Sequence, residues 1–258
     1  MRLPLFSIAC YAALLLASSL SLAALLAPLL VGPSDILREL SSARSLRALV
    51  LSASTATASL AASLLIALPT AYALSKKNFP GRGVLLELSK LPAVMPPIAL
   101  GLSLLLFLKR TSVGAALDSL VGLTFEVPGI VLAQMAVVLP VMVSYLKDVF
   151  DAVDDRHILM ARSLGLSEFE ALVKVAIPMR WRGILGASSL AWVRAAGEFG
   201  ATLMVAGATP HKTETLPISL YLAIARGDLA HAAASALVLA ALGALALATL
   251  RIAGRSVE

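Results

Sequence analysis

The stretch ALVLSASTATASLAASLLIALPTAYAL occupies residues 48–74 and carries no charged side chain. The hydrocarbon core of a bilayer is about 30 Å thick, and a helix needs about 20 apolar residues to cross it. Because lipid offers no hydrogen-bond partner to an exposed backbone group, an apolar stretch of this length must satisfy its own backbone as a helix. The stretch therefore predicts a transmembrane helix.

Apolar stretches of similar character recur along the chain. Hydrophobic residues make up 59% of its 258 residues and charged residues only 14%, a composition typical of a polytopic membrane protein. The predicted transmembrane helices are residues 5–31, 48–74, 91–108, 129–146, 183–206 and 229–250. The first apolar run is too long for a typical signal peptide, so we expect this helix to be retained. The predicted fold class is all-α, a single membrane domain over residues 1–258 with six transmembrane helices.

Small residues and prolines mark how these helices pack. Hydroxyls recur along residues 48–74, and alanines fill residues 232–248. Small side chains let helix backbones approach closely in lipid, so we expect both helices to pack against neighbours or against another subunit. Prolines inside a helix remove a backbone hydrogen bond and kink or end it. Kinks or helix ends are therefore predicted at Pro69, Pro96, Pro97 and Pro140.

The distribution of basic residues predicts the orientation. Of the 21 Lys and Arg residues, thirteen fall in the N-terminus, the 75–90 and 147–182 loops and the C-terminal tail, seven fall in the opposite loops, and Arg194 lies within a span. Cytoplasmic loops of membrane proteins carry the excess of Lys and Arg. We therefore expect a multi-pass protein of the plasma membrane with both termini in the cytoplasm.

Several classes of function find no support in the sequence. The net charge of +6 follows from this loop asymmetry, so we expect no nucleic-acid partner. The single Cys10 excludes a disulfide framework and a thiolate metal site. In the stretch 206–213, Ala206 and His211 stand where a nucleotide-binding P-loop requires glycine. We expect neither a metal site nor an ATPase site in this chain.

Residues 154–178 form the most structured polar segment. Asp154 or Asp155 can cap a helix that runs to Leu164, and Gly165 permits the left-handed turn that ends it. Ser167 and Glu170 have the spacing of a capping box, which predicts a second helix that stops before Pro178. The segment thus predicts two short helices joined at a glycine elbow. Its apolar side chains must face the membrane domain, a partner protein or, as an alternative, the lipid surface.

Ala161, Gly165 and the pair Ile177-Pro178 have the spacing of the EAA loop, which this segment resembles. That loop is the cytoplasmic docking loop of ATP-binding-cassette (ABC) importer permeases. Leu159 occupies the position of the family's glutamate, and Met160 that of its first alanine. The resemblance implies a coupling helix that docks in a groove of an ATPase subunit. The coupling residues would be Ala161, Arg162, Ser163, Leu164, Gly165, Leu166 and Ser167.

Two further motifs resemble the permeases of molybdate, tungstate and sulfate importers. These are the stretch from Arg194 to Gly207, followed by Thr215 to Tyr221, and the stretch from Leu91 to Gly101. The resemblance covers about residues 50–225. It implies a homodimeric permease that binds two ATPase subunits and accepts an oxyanion from an extracytoplasmic binding protein. ATP and Mg would then belong to the ATPase partner, and no cofactor is expected in this chain.

One charged pair falls inside the fifth predicted helix. Arg194 and Glu198 are four residues apart, so on one helix their side chains can meet as an ion pair. Such a pair serves either to hold helices together or to act in transport. The resemblance to the oxyanion permeases implies a translocation path or gate formed by Arg194, Gly197, Glu198, Gly200 and Thr202.

Three classes of function remain open at this point. The first is the permease subunit of an ATP-driven importer for molybdate or tungstate, with a sulfate-specific permease as its variant. The second is a secondary transporter that works without ATP, for which we find no inverted repeat. The third is an intramembrane enzyme or scaffold, for which no nucleophile motif is present.

Overall fold

A computed structural model describes residues 5–254 of the chain. These residues form thirteen α-helices and no strand, which confirms the all-α fold class. Two short turns of other helical types, Ala27–Val31 and Leu172–Ala176, join them. The helices are α1 (Leu5–Leu26), α2 (Pro33–Leu40), α3 (Ala43–Lys76), α4 (Arg82–Val94), α5 (Pro97–Arg110), α6 (Ser112–Val121), α7 (Val127–Asp151), α8 (Asp155–Ser163), α9 (Glu168–Ala171), α10 (Ile177–Ala196), α11 (Gly200–Ala206), α12 (Leu216–Ala225) and α13 (Leu229–Gly254).

Within the described residues, four helical segments are long and apolar enough to cross a bilayer. They are Phe6–Val31, Ala43–Lys76, Val127–Asp151 and Leu229–Thr249, which correspond to the first, second, fourth and sixth predicted helices. The third predicted helix falls on α4 and α5, which meet at a bend of 108° and count as a fifth crossing only if the bent pair is one span. The six continuous spans expected from hydropathy are therefore not all present as single helices.

Local backbone chemistry explains why the third and the fifth predicted helices are each interrupted. Pro96 and Pro97 follow the last residues of α4, and Pro97 opens α5, where its missing N–H costs no hydrogen bond. The fifth predicted helix is divided into α10 and α11 by Gly197, Glu198 and Phe199. Glycine disfavours a helix interior by about 1 kcal/mol relative to alanine, so the chain leaves the helix here at low cost.

The core of the fold lies between α3 and α7, which make the most extensive helix–helix contact among residues 5–254. The fully buried Ala56, Ala67 and Ala71 of α3 pack in one cluster with Met142 and Leu146 of α7. The short alanine side chains bring the two backbones together, as expected from the small residues of this stretch. Close packing of two long helices thus fixes the centre of the molecule.

Hydroxyl groups of α3 also hold neighbouring elements. The Ser52 hydroxyl accepts a hydrogen bond from the backbone N–H of Leu216 at 2.7 Å, where α12 begins. The amide of Gln134 on α7 donates to the Thr55 hydroxyl at 3.3 Å. Trp192 of α10 donates its ring N–H to Thr57 at 3.0 Å. The predicted packing role of these hydroxyls is confirmed for Ser52, Thr55 and Thr57.

The alanine-rich helix α13 packs against α10 and α12. Ala232, Ala233 and Ala234 near its start are buried, as expected from close helix packing. By contrast, α1 is exposed along its described side chains and contacts little besides the turn that follows it. The first helix therefore presents a continuous apolar surface outside this chain's own core.

The α3–α7 contact can be tested with a larger side chain at Ala67. Because Ala67 is fully buried in that contact, Ala67→Leu should lower stability by about 1–3 kcal/mol through overpacking. Thermal unfolding of the detergent-solubilised protein measures the loss. Ala61→Leu on the exposed side of the same helix is the control, and an equal loss in both variants would contradict the assigned core.

Candidate functional site

The elbow of residues 154–178 begins with a well-capped helix. The Asp154 side chain accepts a hydrogen bond from the backbone N–H of Arg156 at 2.9 Å and starts α8. At the other end, the N–H of Leu166 bonds to the carbonyl of Ala161 at 3.2 Å, and that of Gly165 to Arg162 at 3.0 Å. This pair of bonds is the closing motif of a helix that ends in a left-handed residue. Gly165 has φ +88°, so the predicted glycine turn is confirmed.

The second arm of the elbow starts at the predicted capping box. The backbone N–H of Glu170 donates to the Ser167 hydroxyl at 3.2 Å, and the N–H of Ser167 donates to the Glu170 carboxylate at 2.9 Å. A hydrogen bond from Lys174 lowers the pKa of Glu170 to about 2. The Glu170 carboxylate is therefore ionised at neutral pH. The stability that this cap contributes is present above the pKa of the unfolded chain and is lost as the pH falls toward the lowered pKa.

The second arm does not stop before Pro178 as the sequence predicts. Helix α9 covers only Glu168–Ala171 and passes through a π-helical turn, Leu172–Ala176, directly into α10. Pro178 follows this turn as the second residue of α10, and its missing N–H and its ring disfavour a regular α-helical turn before it. A widened turn therefore connects the elbow to α10, which is kinked near its start at Arg180 (φ −124°, ψ 18°).

The elbow presents apolar side chains to its surroundings. Leu164 is 78% exposed and Phe169 72%, and Leu159 and Met160 are also exposed. Ala161 is buried, while Ile158 and Leu172 pack on the core beside α3 and α7. Such a concentration of exposed apolar side chains beside a polar loop marks a surface for a partner or for lipid.

Two lysines at the end of α3 hold the elbow in place. The Lys76 ammonium donates to the carbonyl of Val153 and to the Asp155 carboxylate, each at 2.6 Å. Lys77 pairs with Glu168 at 2.9 Å. One lysine thus holds the start of the first arm, and the next holds the start of the second. The elbow is fixed to the same helix that forms the core.

The break between α10 and α11 is the second candidate site. Glu198 lies beyond the last residue of α10, so the four-residue spacing no longer places it on one helix with Arg194. Within residues 5–254, the two side chains form no ion pair, and the predicted pairing is not observed. Instead, the buried Glu198 carboxylate accepts a hydrogen bond from the backbone N–H of Ala201 at 2.9 Å. Glu198 thereby satisfies a free N–H group at the start of α11.

The other predicted gate residues separate into exposed and buried sets. Arg194 and Gly197 are exposed, whereas Glu198 and Thr202 are buried inside the chain. The Thr202 hydroxyl has no hydrogen-bond partner among the described residues. The five residues predicted for the gate therefore lie close to one break between two helices, and the charged Arg194 among them is exposed.

Helix α11 touches α5 backbone to backbone. A Cβ atom on Gly200 would lie 2.9 Å from the backbone nitrogen of Ile98, and one on Gly101 would lie 2.6 Å from the Cα of Ala201. Real Cβ atoms almost never come that close to backbone, so both positions require glycine. The two broken segments of the chain therefore meet each other at a contact with no room for side chains.

A polar network at the far end of α3 was not predicted from sequence. Arg44 pairs with Glu214 at 2.6 Å, and Glu214 accepts from Ser219 at 2.9 Å. The Ser219 hydroxyl lies 2.8 Å from one ring nitrogen of His231, whose other ring nitrogen lies 2.9 Å from Glu39. His231 is fully buried. Its partners are far apart in the sequence, so no local pattern reveals the network.

The described helices, with several apolar spans and an exposed elbow, have the architecture of a multi-pass membrane protein. The family of binding-protein-dependent transport system inner membrane components matches residues 59–258. The chain belongs to this family of inner membrane transport components.

Over the aligned parts, curated relatives are about a third identical to the chain. A probable molybdenum ABC transporter permease protein of Haloferax volcanii is 38% identical over 74% of this chain and 70% of the relative. A molybdenum transport system permease protein of Haemophilus influenzae is 31% identical over 67% of this chain and 77% of the relative. A molybdate/tungstate transport system permease protein of Thermococcus kodakarensis is 35% identical over 59% of this chain and 57% of the relative.

Solved structures support the fold. A bacterial ABC transporter involved in the import of the acidic polysaccharide alginate matches with a TM-score of 0.65 and 12% identity. The match covers 88% of this chain and 85% of that chain. At this identity the likeness establishes the helical architecture only.

The contact between α5 and α11 is tested with one added methyl group. Because a Cβ on Gly101 would collide with the backbone of Ala201, Gly101→Ala should force the two helices apart and lower thermal stability. At Gly243 in α13, a Cβ meets nothing within 4 Å. The control Gly243→Ala should be neutral or stabilising by about 0.5–1 kcal/mol. Equal melting temperatures for the two variants would disprove the close contact.

Proposed function

We propose that the chain is the membrane-spanning permease subunit of an ATP-driven ABC importer. It translocates molybdate- or tungstate-type oxyanions, received from an extracytoplasmic binding protein, by alternating access. The exposed apolar elbow held by Lys76 and Lys77 carries the proposal. A surface of this kind suits a docking groove on a soluble partner. In this family of transport components the partner is an ATPase subunit.

A continuous path through the structure supports mechanical coupling. The elbow runs through the π-helical turn Leu172–Ala176 into α10, and α10 ends at the break before Gly200. Beyond the break, α11 rests on α5. A shift of the elbow is therefore transmitted through the kink at Arg180 and along the rest of α10 to a contact between two broken segments. Rigid elements of this type move as bodies around a hinge.

The gate in this proposal is the broken segment itself. Gly197 and Gly200 flank the break, Glu198 holds the start of α11, and the buried Thr202 hydroxyl is free to hydrogen bond. Arg194 stands exposed on the last turn of α10. An exposed guanidinium in a membrane segment suits a water-filled path or a subunit interface better than lipid. We assign these five residues to the translocation path.

A second copy of the chain is the proposed partner within the membrane. Helix α1 is apolar along its length and is exposed on this chain. Many transporters place the path between two similar units, and an unpartnered helix can contact the other unit as well as lipid. The working assembly then contains two copies of this permease, two ATPase subunits and the extracytoplasmic binding protein. ATP and Mg act in the ATPase subunits, and the permease contributes no ATPase site.

The proposed ATPase partner also fixes the orientation of the chain in the membrane. The ATPase side is the cytoplasm, which agrees with the excess of Lys and Arg in the loops around the elbow and places both termini there.

The relatives from three organisms carry molybdenum, molybdate or tungstate in their names. We therefore assign the same class of tetrahedral dianion to this chain.

Uptake measurements test this function directly. Proteoliposomes that contain the chain, its ATPase partner and the binding protein should accumulate molybdate or tungstate only when ATP is present. Replacement of the phosphate-binding lysine in the ATPase should abolish uptake. Uptake that survives this replacement would indicate a secondary transporter, and uptake of sulfate alone would identify a sulfate-specific permease.

The elbow is tested at Gly165. Its φ of +88° is a conformation that a β-branched residue can adopt only with strain. Gly165→Val should uncouple the complex, so that the binding protein no longer stimulates ATP hydrolysis and uptake falls. Gly227 has φ +73° and also meets nothing within 4 Å, but it lies between α12 and α13. Gly227→Val therefore carries the same backbone strain away from the elbow and should keep stimulation. Normal stimulation in Gly165→Val would argue against docking at the elbow.

A further inference from the structure

A small cavity lies at the end of α3 opposite the elbow. Its volume is about 110 Å³, and a water molecule needs only about 10–15 Å³, so it can hold an ion several times larger than water. Helix α3 rises about 1.5 Å per residue, which places Arg44 about 50 Å along the helix from Lys76 at the elbow. The cavity therefore opens on the other side of the bilayer. Its lining residues are Arg44, Arg47, Ala48, Leu51, His211, Lys212 and Glu214.

The lining carries more positive than negative charge. Three of its side chains are cations, and Glu214 is the one carboxylate. Arg44 pairs with Glu214, and Lys212 pairs with Glu126 outside the cavity. Arg47 is exposed and forms no ion pair within residues 5–254. The cavity therefore keeps one positive charge that the described residues do not neutralise.

Glu214 is occupied with orienting Arg44. One carboxylate oxygen accepts from the Nε of Arg44 at 2.6 Å and from Ser219 at 2.9 Å, and the other accepts from the backbone N–H of His211 at 3.1 Å. Burial raises the pKa of Glu214, but these hydrogen bonds, above all that from Arg44, outweigh it and lower the pKa. The carboxylate stays ionised at neutral pH and acts as a fixed holder of the guanidinium.

Arg44, which lines the cavity, retains an unused donor. Its Nη2 atom is buried and has no hydrogen-bond partner among the described residues. A buried donor without an acceptor costs about 1–3 kcal/mol. Because Nη2 has almost no accessible surface, the guanidinium must turn toward the cavity before this donor can meet an acceptor there. A guanidinium N–H group binds an oxyanion through short, charge-assisted hydrogen bonds.

The surroundings hold the cavity rigid. Ser219 also contacts the buried His231 on α13, and His231 contacts Glu39 on α2. Through Ser219, these two helices help to fix the position of Glu214. His211 has φ +64°, a conformation that non-glycine residues rarely adopt. Backbone strain of this kind persists only where the neighbouring structure enforces it, and it is concentrated at functional sites.

We infer that this cavity is an acceptor site for a tetrahedral oxyanion, bound by Arg44 and Arg47 after its release from the binding protein. The inference rests on the proposed function, since the binding protein would deliver the anion to this side of the membrane. Glu214 limits the strength of binding because its negative charge lies at the same cavity. Weak binding suits a transport path, in which the anion must leave again.

The test uses Arg47, which is exposed and outside the core. Tungstate uptake by the reconstituted complex is measured at saturating binding protein. Arg47→Gln should lower uptake about tenfold, which corresponds to about 1.4 kcal/mol, the scale of a charge-assisted hydrogen bond. Arg47→Lys should restore part of the rate. Arg110→Gln removes the same charge from an exposed arginine at the end of α5, outside the cavity, and should leave uptake unchanged.

Each other outcome has a definite meaning. Equal losses in Arg47→Gln and Arg110→Gln would overturn the site in favour of general attraction by surface charge. A loss that disappears as the binding protein reaches saturation would show that Arg47 binds that protein's own carboxylates, which also overturns the site. Failure of the unaltered complex to transport any oxyanion would overturn the proposed function itself, and it is visible without any variant.

Discussion

The close packing of α3 against α7 is the interaction on which the rest of the structure depends. In lipid, helices gain little hydrophobic energy from meeting, so association rests on tight packing and on hydrogen bonds between them. Ala56, Ala67 and Ala71 supply the first, and the bond from Gln134 to Thr55 supplies the second. Because α3 is the longest helix among residues 5–254, this contact fixes an axis through the whole membrane domain.

Both ends of α3 carry charged residues that organise a site. At one end, Lys76 and Lys77 bind the two arms of the elbow. At the other, Arg44 is held by Glu214 beside a small, positively charged cavity. A single rigid helix therefore spans from the surface proposed to meet the ATPase to the surface proposed to receive the anion. In the proposed mechanism, the moving parts are the broken segments, α4 with α5 and α10 with α11, all of which contact α7.

Local signals in the sequence predict the caps and the glycine turn of the elbow, but not the end of its second arm. The capping residues Asp154 and Ser167, the partner Glu170 and the turn at Gly165 all act within a few residues, so their spacing is enough to define them. The uninterrupted apolar stretches likewise predict α1, α3, α7 and α13. These features are accessible because their physical causes lie within one turn or one helix of the chain.

The features that sequence reasoning misses depend on distant partners. Hydropathy alone reads residues 183–206 as one helix, whereas the contact of Gly200 and Gly101 with opposing backbone favours a break. That break moves Glu198 off the helix and removes the expected pairing with Arg194. Glu39 and His231 meet across 192 positions of the chain, so neither residue signals the other. Tertiary packing, rather than any local pattern, decides these sites.

Cross-linking can show whether the elbow docks against an ATPase subunit, as we propose. Leu164 is 78% exposed on the elbow, and Leu30 is 89% exposed near the end of α1. Each is changed to cysteine in a complex whose Cys10 has been replaced by serine. We expect Leu164→Cys to cross-link to the ATPase subunit with a yield that changes on ATP binding, and Leu30→Cys not to cross-link. A functional complex in which Leu164→Cys gives no cross-link, or no more than Leu30→Cys, would contradict this proposal.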